Sequence, residues 1–202
     1  MERLTIEVGS YDVNCSILSQ DGMAYIVDPG QEGAQILQLL AKKGLEPAAV
    51  LLTHAHFDHI TGIAALQQAH PGLPVYAHPA DWPMFGHPFN QMPPDYPSIG
   101  KPANLRDATE VAQLLPGVAV IPTPGHTPGG VCYHLVAEKT LLSGDTLFAG
   151  SIGRTDFPGG SMPDMLASLR KLTALPDDTL VIPGHGMHTT IGDEKNGNPY
   201  LI

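Results

Sequence analysis

The sequence predicts an α/β fold formed by a single domain over residues 1–202. Three observations lead to this expectation: a length of 202 residues, a hydrophobic fraction of 43%, and short apolar runs that alternate with segments of helical spacing. A chain of this length is close to the usual size of one domain, and its apolar content is sufficient for a sizeable core. We therefore expect one globular domain without an internal linker.

The first half of the chain predicts a hairpin followed by a β-α-β unit. Strands are expected at residues 4–8, 14–19, 23–28 and 50–52, and helices at residues 36–44 and 60–69. Asp21 and Gly22 form a turn signal between the second and third strands. Gly44 directly follows Lys43, a combination typical of a helix end.

Residues 79–102 interrupt this pattern with repeated prolines and with the aromatic side chains of Trp82, Phe85, Phe89 and Tyr96. We expect an ordered loop here, whose aromatic residues line a substrate mouth, form a dimer contact or make a small core of their own. Regular elements then resume, with strands expected at residues 118–121, 131–136, 140–143 and 179–182 and a helix at residues 162–172.

The composition argues against several classes of protein. Asp and Glu outnumber Lys and Arg by 20 to 10, and the resulting net charge of −10 is unsuited to nucleic-acid binding. No apolar run approaches the roughly 18 residues of a membrane-spanning helix, and no export signal is visible, so a soluble cytoplasmic protein is expected. Cys15 and Cys132 lie far apart in the chain, which predicts buried thiols and neither a disulfide nor a thiolate zinc site.

A cluster of potential metal ligands follows the strand expected at residues 50–52. His54, His56, Asp58 and His59 lie within six residues of one another at a strand-to-helix turn. Side chains two residues apart on an extended segment project to one side, so His54 and His56 can bind one ion while the turn directs Asp58 and His59 at a second. Imidazole and carboxylate ligands without thiolate suit zinc, iron or manganese, and the ligand types alone do not select among them. We expect two divalent ions, with zinc as the first choice.

Three further candidates lie beside glycine after apolar runs. Buried strands would deliver them to one edge of a sheet, which is how α/β sites are commonly built. The expected ligands of the first ion are His54, His56 and His126, and those of the second ion are Asp58, His59 and His185. The carboxylate of Asp145 would bridge the two ions. A water or hydroxide would complete both shells.

These residues resemble the signature of the metallo-β-lactamase-fold hydrolases, His-x-His-x-Asp-His followed by a His, an Asp and a His. All seven positions are present, and the resemblance extends from residues 27–30 to residues 183–186. It implies a four-layer αββα sandwich with two metal ions at one sheet edge. It also implies that Asp28 orients the metal ligands.

Within that family, residues 144–148 and 150–156 look most like the short single-domain form of glyoxalase II. The sequence runs to Ile202, and we expect no C-terminal helical domain of the kind that the longer enzymes have. The resemblance implies hydrolysis of S-lactoylglutathione or a related glutathione thioester by a metal-bridging hydroxide, in a monomer or homodimer. Asp58 would serve as a ligand and also accept a proton. Arg154 would bind the glycine carboxylate of glutathione, or instead form a structural ion pair with Asp156.

The sequence is also compatible with three other functions. A mononuclear-iron persulfide dioxygenase of the same fold would use His54, His126 and Asp145 as its iron ligands. A lactonase or β-lactamase would use the same dinuclear centre, because activated water attacks whatever acyl group is presented. A binding module that has kept the fold would bind metal without turnover.

Overall fold

The computed structural model describes residues 1–90 and 97–201. The chain divides into two compact units, one formed by Met1–Ala108 and the other beginning at Thr109. Each unit has a β-sheet and helices of its own. None of the helices in the described residues has the length and apolar character needed to cross a membrane.

The first unit contains a six-stranded sheet in the order β1-β2-β3-β4-β5-β6. Its strands are β1 (Glu2–Val8), β2 (Val13–Gln20), β3 (Met23–Val27), β4 (Glu46–Leu51), β5 (Val75–Ala77) and β6 (Leu105–Asp107). The first three strands are antiparallel, and the strands from β3 to β6 are parallel. The predicted hairpin and β-α-β unit are therefore confirmed.

Helices cover the apolar residues of this sheet. They are α1 (Gly33–Lys43), α2 (Phe57–Ile60) and α3 (Ile63–Ala69). Ile36 and Leu40 of α1 and Leu66 of α3 belong to one buried cluster with Ile26 and Val50 of the sheet. Burial of this apolar surface is the main stabilising contribution to the unit.

The helix predicted at residues 60–69 is confirmed over Ile63–Ala69, but its predicted start is wrong, because a break at Thr61 and Gly62 separates α3 from α2. Gly62 donates its backbone N–H to the carbonyl of Gly30, and a Cβ atom here would lie 2.8 Å from the carbonyl oxygen of Pro29. This approach of two backbone segments requires glycine and redirects the chain. The helix that precedes it begins at Phe57, so Asp58 and His59 lie on a helical turn.

The proline-rich segment is not structureless. Short 3₁₀ helices form at Pro79–Met84 and Pro88–Asn90. Phe85 is buried in the apolar cluster of the first unit, and Trp82 packs against that cluster. These two side chains therefore stabilise the unit's own core. Tyr96 and the rest of residues 91–96 lie outside the described residues.

The second unit contains a five-stranded sheet in the order β13-β12-β9-β8-β7 and a separate hairpin of β10 and β11. Its strands are β7 (Val118–Pro122), β8 (Val131–Leu135), β9 (Thr140–Gly144), β10 (Leu147–Phe148), β11 (Ser151–Ile152), β12 (Leu180–Pro183) and β13 (Thr189–Thr190). Its helices are α4 (Val111–Leu114), α5 (Met162–Leu172) and α6 (Ile191–Gly197). The predicted helix at residues 162–172 is confirmed, with the Ser161 side chain capping its first turn.

Two buried features hold this second unit together. Met165 and Leu169 of α5 pack with Leu141 of β9 and Val181 of β12. The carboxylate of Glu194 accepts hydrogen bonds from Gly150, Thr189 and Asn198, which ties α6 to the β10–β11 hairpin. These contacts fix α6 and the β10–β11 hairpin against each other.

Candidate metal centre

The first unit brings together four of the predicted ligands in the segment that follows β4. His54, His56, Asp58 and His59 are 0% to 8% exposed. One ligand atom of His54 lies within 4.8 Å of a ligand atom of His56, and the same holds for His54 with His59 and for Asp58 with His59. The rings of His54 and His56 meet edge to face with centroids 4.8 Å apart. Buried imidazoles at this separation form a donor set typical of a transition-metal site.

Asp28 orients two of these imidazoles. It follows β3 directly, and its Oδ2 atom lies 3.1 Å from Nδ1 of His59. The same oxygen accepts the hydroxyl hydrogen of Thr53 at 2.6 Å, and Oδ1 accepts the Thr53 backbone N–H at 2.8 Å. Because the Thr53 hydroxyl has only one hydrogen, it acts as acceptor toward Nδ1 of His54, 3.1 Å away. In both rings Nε2 is then the nitrogen with a lone pair to offer a metal.

The second unit brings together the other three predicted ligands. Oδ2 of Asp145 lies 3.5 Å from Nε2 of His126 and 3.7 Å from Nε2 of His185. His126 follows β7, Asp145 follows β9, and His185 follows β12, so all three leave the carboxyl ends of strands, as expected. The Nδ1 atom of His126 lies 2.8 Å from the carbonyl oxygen of Arg154, which again leaves Nε2 as the ligand atom.

A buried polar network supports the turns that carry His126 and Asp145. The hydroxyl of Thr146 donates to Oγ1 of Thr123 at 3.1 Å, and Thr123 contacts the Cys132 thiol at 3.3 Å. Ser143 donates to the carbonyl of Leu147 at 2.8 Å. These contacts connect the ends of β7, β8 and β9. Cys132 is therefore a structural thiol, as the sequence predicts.

The side chain of Arg154 makes the ion pair that the sequence leaves as one of two alternatives. Its Nε and a terminal nitrogen donate to the two carboxylate oxygens of Asp156, each at 2.8 Å. The guanidinium also lies over the ring of Phe157, 3.7 Å from its centroid. The two hydrogen bonds from Arg154 lower the pKa of Asp156 to about 2. Both side chains are exposed, so this cation faces solvent.

Sequence reasoning missed several residues that shape the two clusters. Thr53 directly precedes the ligand motif, and Asp81 and Asn90 belong to no motif, although all three are buried. The backbone carbonyl of residue 154 has no sequence signal, because any residue provides one.

Comparison with known proteins identifies the family. The model of the metallo-beta-lactamase superfamily matches residues 8–185. The chain belongs to this superfamily. The predicted α/β class and metallo-β-lactamase fold are thus confirmed, and the residues present suit divalent metal ions.

Two relatives are similar to the chain over nearly its whole length. The chain is 39% identical to the probable metallo-hydrolase YqgX of Bacillus subtilis, over 96% of this chain and 94% of that protein. It is 35% identical to the hydroxyacylglutathione hydrolase GloC of Haemophilus influenzae, over 97% and 96% of the two chains.

Three solved structures are similar to the chain. The di-iron-bound form of TTHA1623 is 39% identical with a TM-score of 0.89, covering 98% of this chain and 100% of that one. The B3 metallo-beta-lactamase BLEG-1 is 35% identical with a TM-score of 0.85, covering 99% of both chains. ETHE1 from Myxococcus xanthus is 27% identical with a TM-score of 0.76, covering 98% of this chain and 84% of that one.

Proposed function

We propose that the protein is a metal-dependent hydrolase of the glyoxalase II type, acting on S-lactoylglutathione or a related glutathione thioester. The observation that carries the proposal is the set of buried imidazoles whose Nδ1 atoms face protein acceptors, in two clusters that also contain carboxylates. The likeness to GloC over nearly the whole chain supports the thioester class.

The proposal takes the residues of both clusters as metal ligands. The ligands are His54, His56, Asp58, His59, His126, Asp145 and His185. Zinc is the favoured metal for this donor set, and the di-iron form of the similar TTHA1623 makes iron the next choice. When bound, two divalent ions supply an activated water and polarise the substrate carbonyl.

The chain's own residues orient the reacting groups and handle protons. Asp58 is buried beside His59, where its carboxylate accepts a proton from the attacking water. The leaving thiol of a thioester has a pKa of about 8.5 and needs no general acid. Arg154 binds the glycine carboxylate of glutathione, for which its guanidinium fork must exchange or share its contact with Asp156.

The second candidate is a mononuclear-iron persulfide dioxygenase. The similarity to ETHE1 supports this second candidate. In a dioxygenase of this kind, only His54, His126 and Asp145 would bind the iron. The remaining candidate ligands would not bind metal. Metal stoichiometry separates the two functions.

The test combines metal analysis with an assay. The purified full-length protein is analysed for metal, and loss of thioester absorbance is followed with S-lactoylglutathione. About two ions per chain with turnover that a chelator abolishes and added zinc, iron or manganese restores would support the hydrolase. One iron per chain, no thioester hydrolysis and oxygen uptake with glutathione persulfide would establish the dioxygenase instead.

Matched variants sharpen the assay. His126→Ala should lose bound metal and turnover, whereas His70→Ala removes a histidine that caps α3 and should leave both unchanged. A β-lactam should be included among the compounds assayed, because the chain is similar to the B3 metallo-beta-lactamase BLEG-1. Hydrolysis of the β-lactam alone would overturn the thioester proposal.

A further inference from the structure

Two buried side chains from the proline-rich segment hold the backbone of the turn that carries His54 and His56. Asp81 lies in the 3₁₀ helix Pro79–Met84, and Asn90 ends the 3₁₀ helix Pro88–Asn90. Asp81 is 0% exposed and Asn90 is 5% exposed. Neither residue belongs to the proposed ligand set, so their burial beside this turn calls for another explanation.

Asn90 binds both of the peptide groups that flank His56. Its Oδ1 atom accepts the backbone N–H of Phe57 at 2.8 Å, and its Nδ2 atom donates to the carbonyl oxygen of Ala55 at 2.7 Å. The second Nδ2 hydrogen is donated to the carbonyl of Met84 at 3.2 Å. Because peptide groups are planar, fixing the two on either side of a Cα atom fixes the direction in which its side chain leaves the backbone.

Asp81 holds the preceding peptide group. The backbone N–H of Ala55, which belongs to the peptide bond from His54, donates to Oδ2 of Asp81 at 3.1 Å. Three consecutive peptide groups between His54 and Phe57 are therefore anchored by side chains, in a stretch that forms no strand. The edge-to-face arrangement of the His54 and His56 rings, with an interplanar angle of 88°, arises on this anchored backbone.

We propose that Asn90, assisted by Asp81, is a positioning residue that sets the separation and direction of the His54 and His56 side chains before metal binds. The proposal rests on the metal-dependent function proposed above. It uses both ends of the Asn90 amide, with Nδ2 as donor to Ala55 and Oδ1 as acceptor from Phe57. A residue that only filled space would not need both.

The test measures metal affinity rather than turnover. Asn90→Asp keeps the size of the side chain and its acceptor for Phe57 but places a carboxylate oxygen against the carbonyl of Ala55. Asn90→Ala removes both contacts. The full-length wild type and both variants are stripped of metal and titrated with cobalt(II) and zinc(II) against a chromophoric chelator, and the cobalt absorption spectrum is recorded.

The matched control is Asn104→Asp. Asn104 is exposed in the same unit, and its Nδ2 atom donates to the carbonyl of Gly72 at 3.0 Å, so the substitution breaks an amide-to-backbone contact away from the ligands. We expect both Asn90 variants to bind cobalt and zinc about 10- to 100-fold more weakly, with an altered cobalt spectrum, and the Asn104 variant to match the wild type.

The outcomes are distinguishable. Affinities of the Asn90 variants within about twofold of the wild type, with an unchanged cobalt spectrum, would overturn the positioning role even if thermal stability fell. If Asn90→Ala does not fold, the isosteric Asp variant decides. A wild type that binds two ions but hydrolyses no thioester would overturn the proposed substrate and leave the positioning role intact. A wild type that binds neither ion would overturn both.

Discussion

Oδ2 of Asp28 lies 3.1 Å from Nδ1 of His59 and also accepts the hydroxyl of Thr53, which in turn contacts His54. One buried carboxylate therefore acts on two imidazole rings, on one directly and on the other through a hydroxyl group. Such partners fix the tautomer and the orientation of a ligating ring.

Replacing Asp28 with Asn should weaken metal binding. An amide has one acceptor oxygen where Asp28 uses two, so either Thr53 or His59 would face an N–H group. We expect zinc affinity to fall about 10- to 100-fold, measured by chelator competition. Asp12→Asn is the control, because Asp12 is exposed and has a similar backbone conformation, with φ of 50° against 49° at Asp28. Equal affinity in the two variants would contradict the role of Asp28.

Gly153→Ala should destabilise the second unit. A Cβ atom at residue 153 would overlap the carbonyl oxygen of Asp145 and lie 3.3 Å from Cβ of His126. Overpacking of this kind costs about 1–3 kcal/mol in the free energy of unfolding, measured by denaturant titration. Gly197→Ala is the control, since an added Cβ there meets nothing within 4 Å. Equal midpoints for the two variants would show that the turn relaxes freely.

Arg154→Ala should raise KM for S-lactoylglutathione more than it lowers kcat. The proposed contact is with a carboxylate remote from the reacting carbonyl, so its loss removes binding that the ground state and the transition state share. Arg170→Ala, an exposed arginine on α5, provides the control for loss of one positive charge. An unchanged KM in the Arg154 variant would leave Arg154 with a structural role, through its contacts with Asp156 and Phe157.

The same substitution should raise the pKa of Asp156. Hydrogen bonds from Arg154 hold this pKa at about 2, below the ordinary value of a carboxyl group. A folded-state pKa below the unfolded one stabilises the protein above about pH 4, and this contribution is lost as the pH falls toward 2. Because both side chains are exposed, the effect on stability is small. A carboxyl NMR titration of Arg154→Ala should show a raised pKa for Asp156, while the pKa of Asp178, which Lys139 holds low, should not change.

Neither cysteine should react with a thiol reagent in the native protein. Burial raises the pKa of Cys15 far above its ordinary range, and the charges of Asp28 and Glu32 raise it further. Cys132 is also fully buried. Titration with a chromogenic disulfide at pH 8 should label no thiol in the folded protein and both after denaturation. Rapid labelling of one thiol in the native state would show that its strand opens locally.

Hydrophobic periodicity was enough to predict the long strands, and the candidate ligands follow those strands in the sequence. Val50 and Leu51 end β4 shortly before His54, and this order of apolar residues and candidate ligands is visible in the sequence. Periodicity could not reveal β5 and β6, because three-residue strands exist only through pairing with distant neighbours. It also passed over Gly62, whose contact with Pro29 breaks the predicted helix. The anchoring by Asn90 depends on one amide in a segment without any periodic signal.

The contact between His126 and residue 154 uses only the backbone of residue 154. The ring is held by a backbone carbonyl, whereas the side chain of Arg154 points to solvent and is 55% exposed. Any amino acid at this position would offer the same carbonyl. The side chain at residue 154 can therefore change during evolution to suit a new substrate, while the imidazole of His126 keeps its orientation.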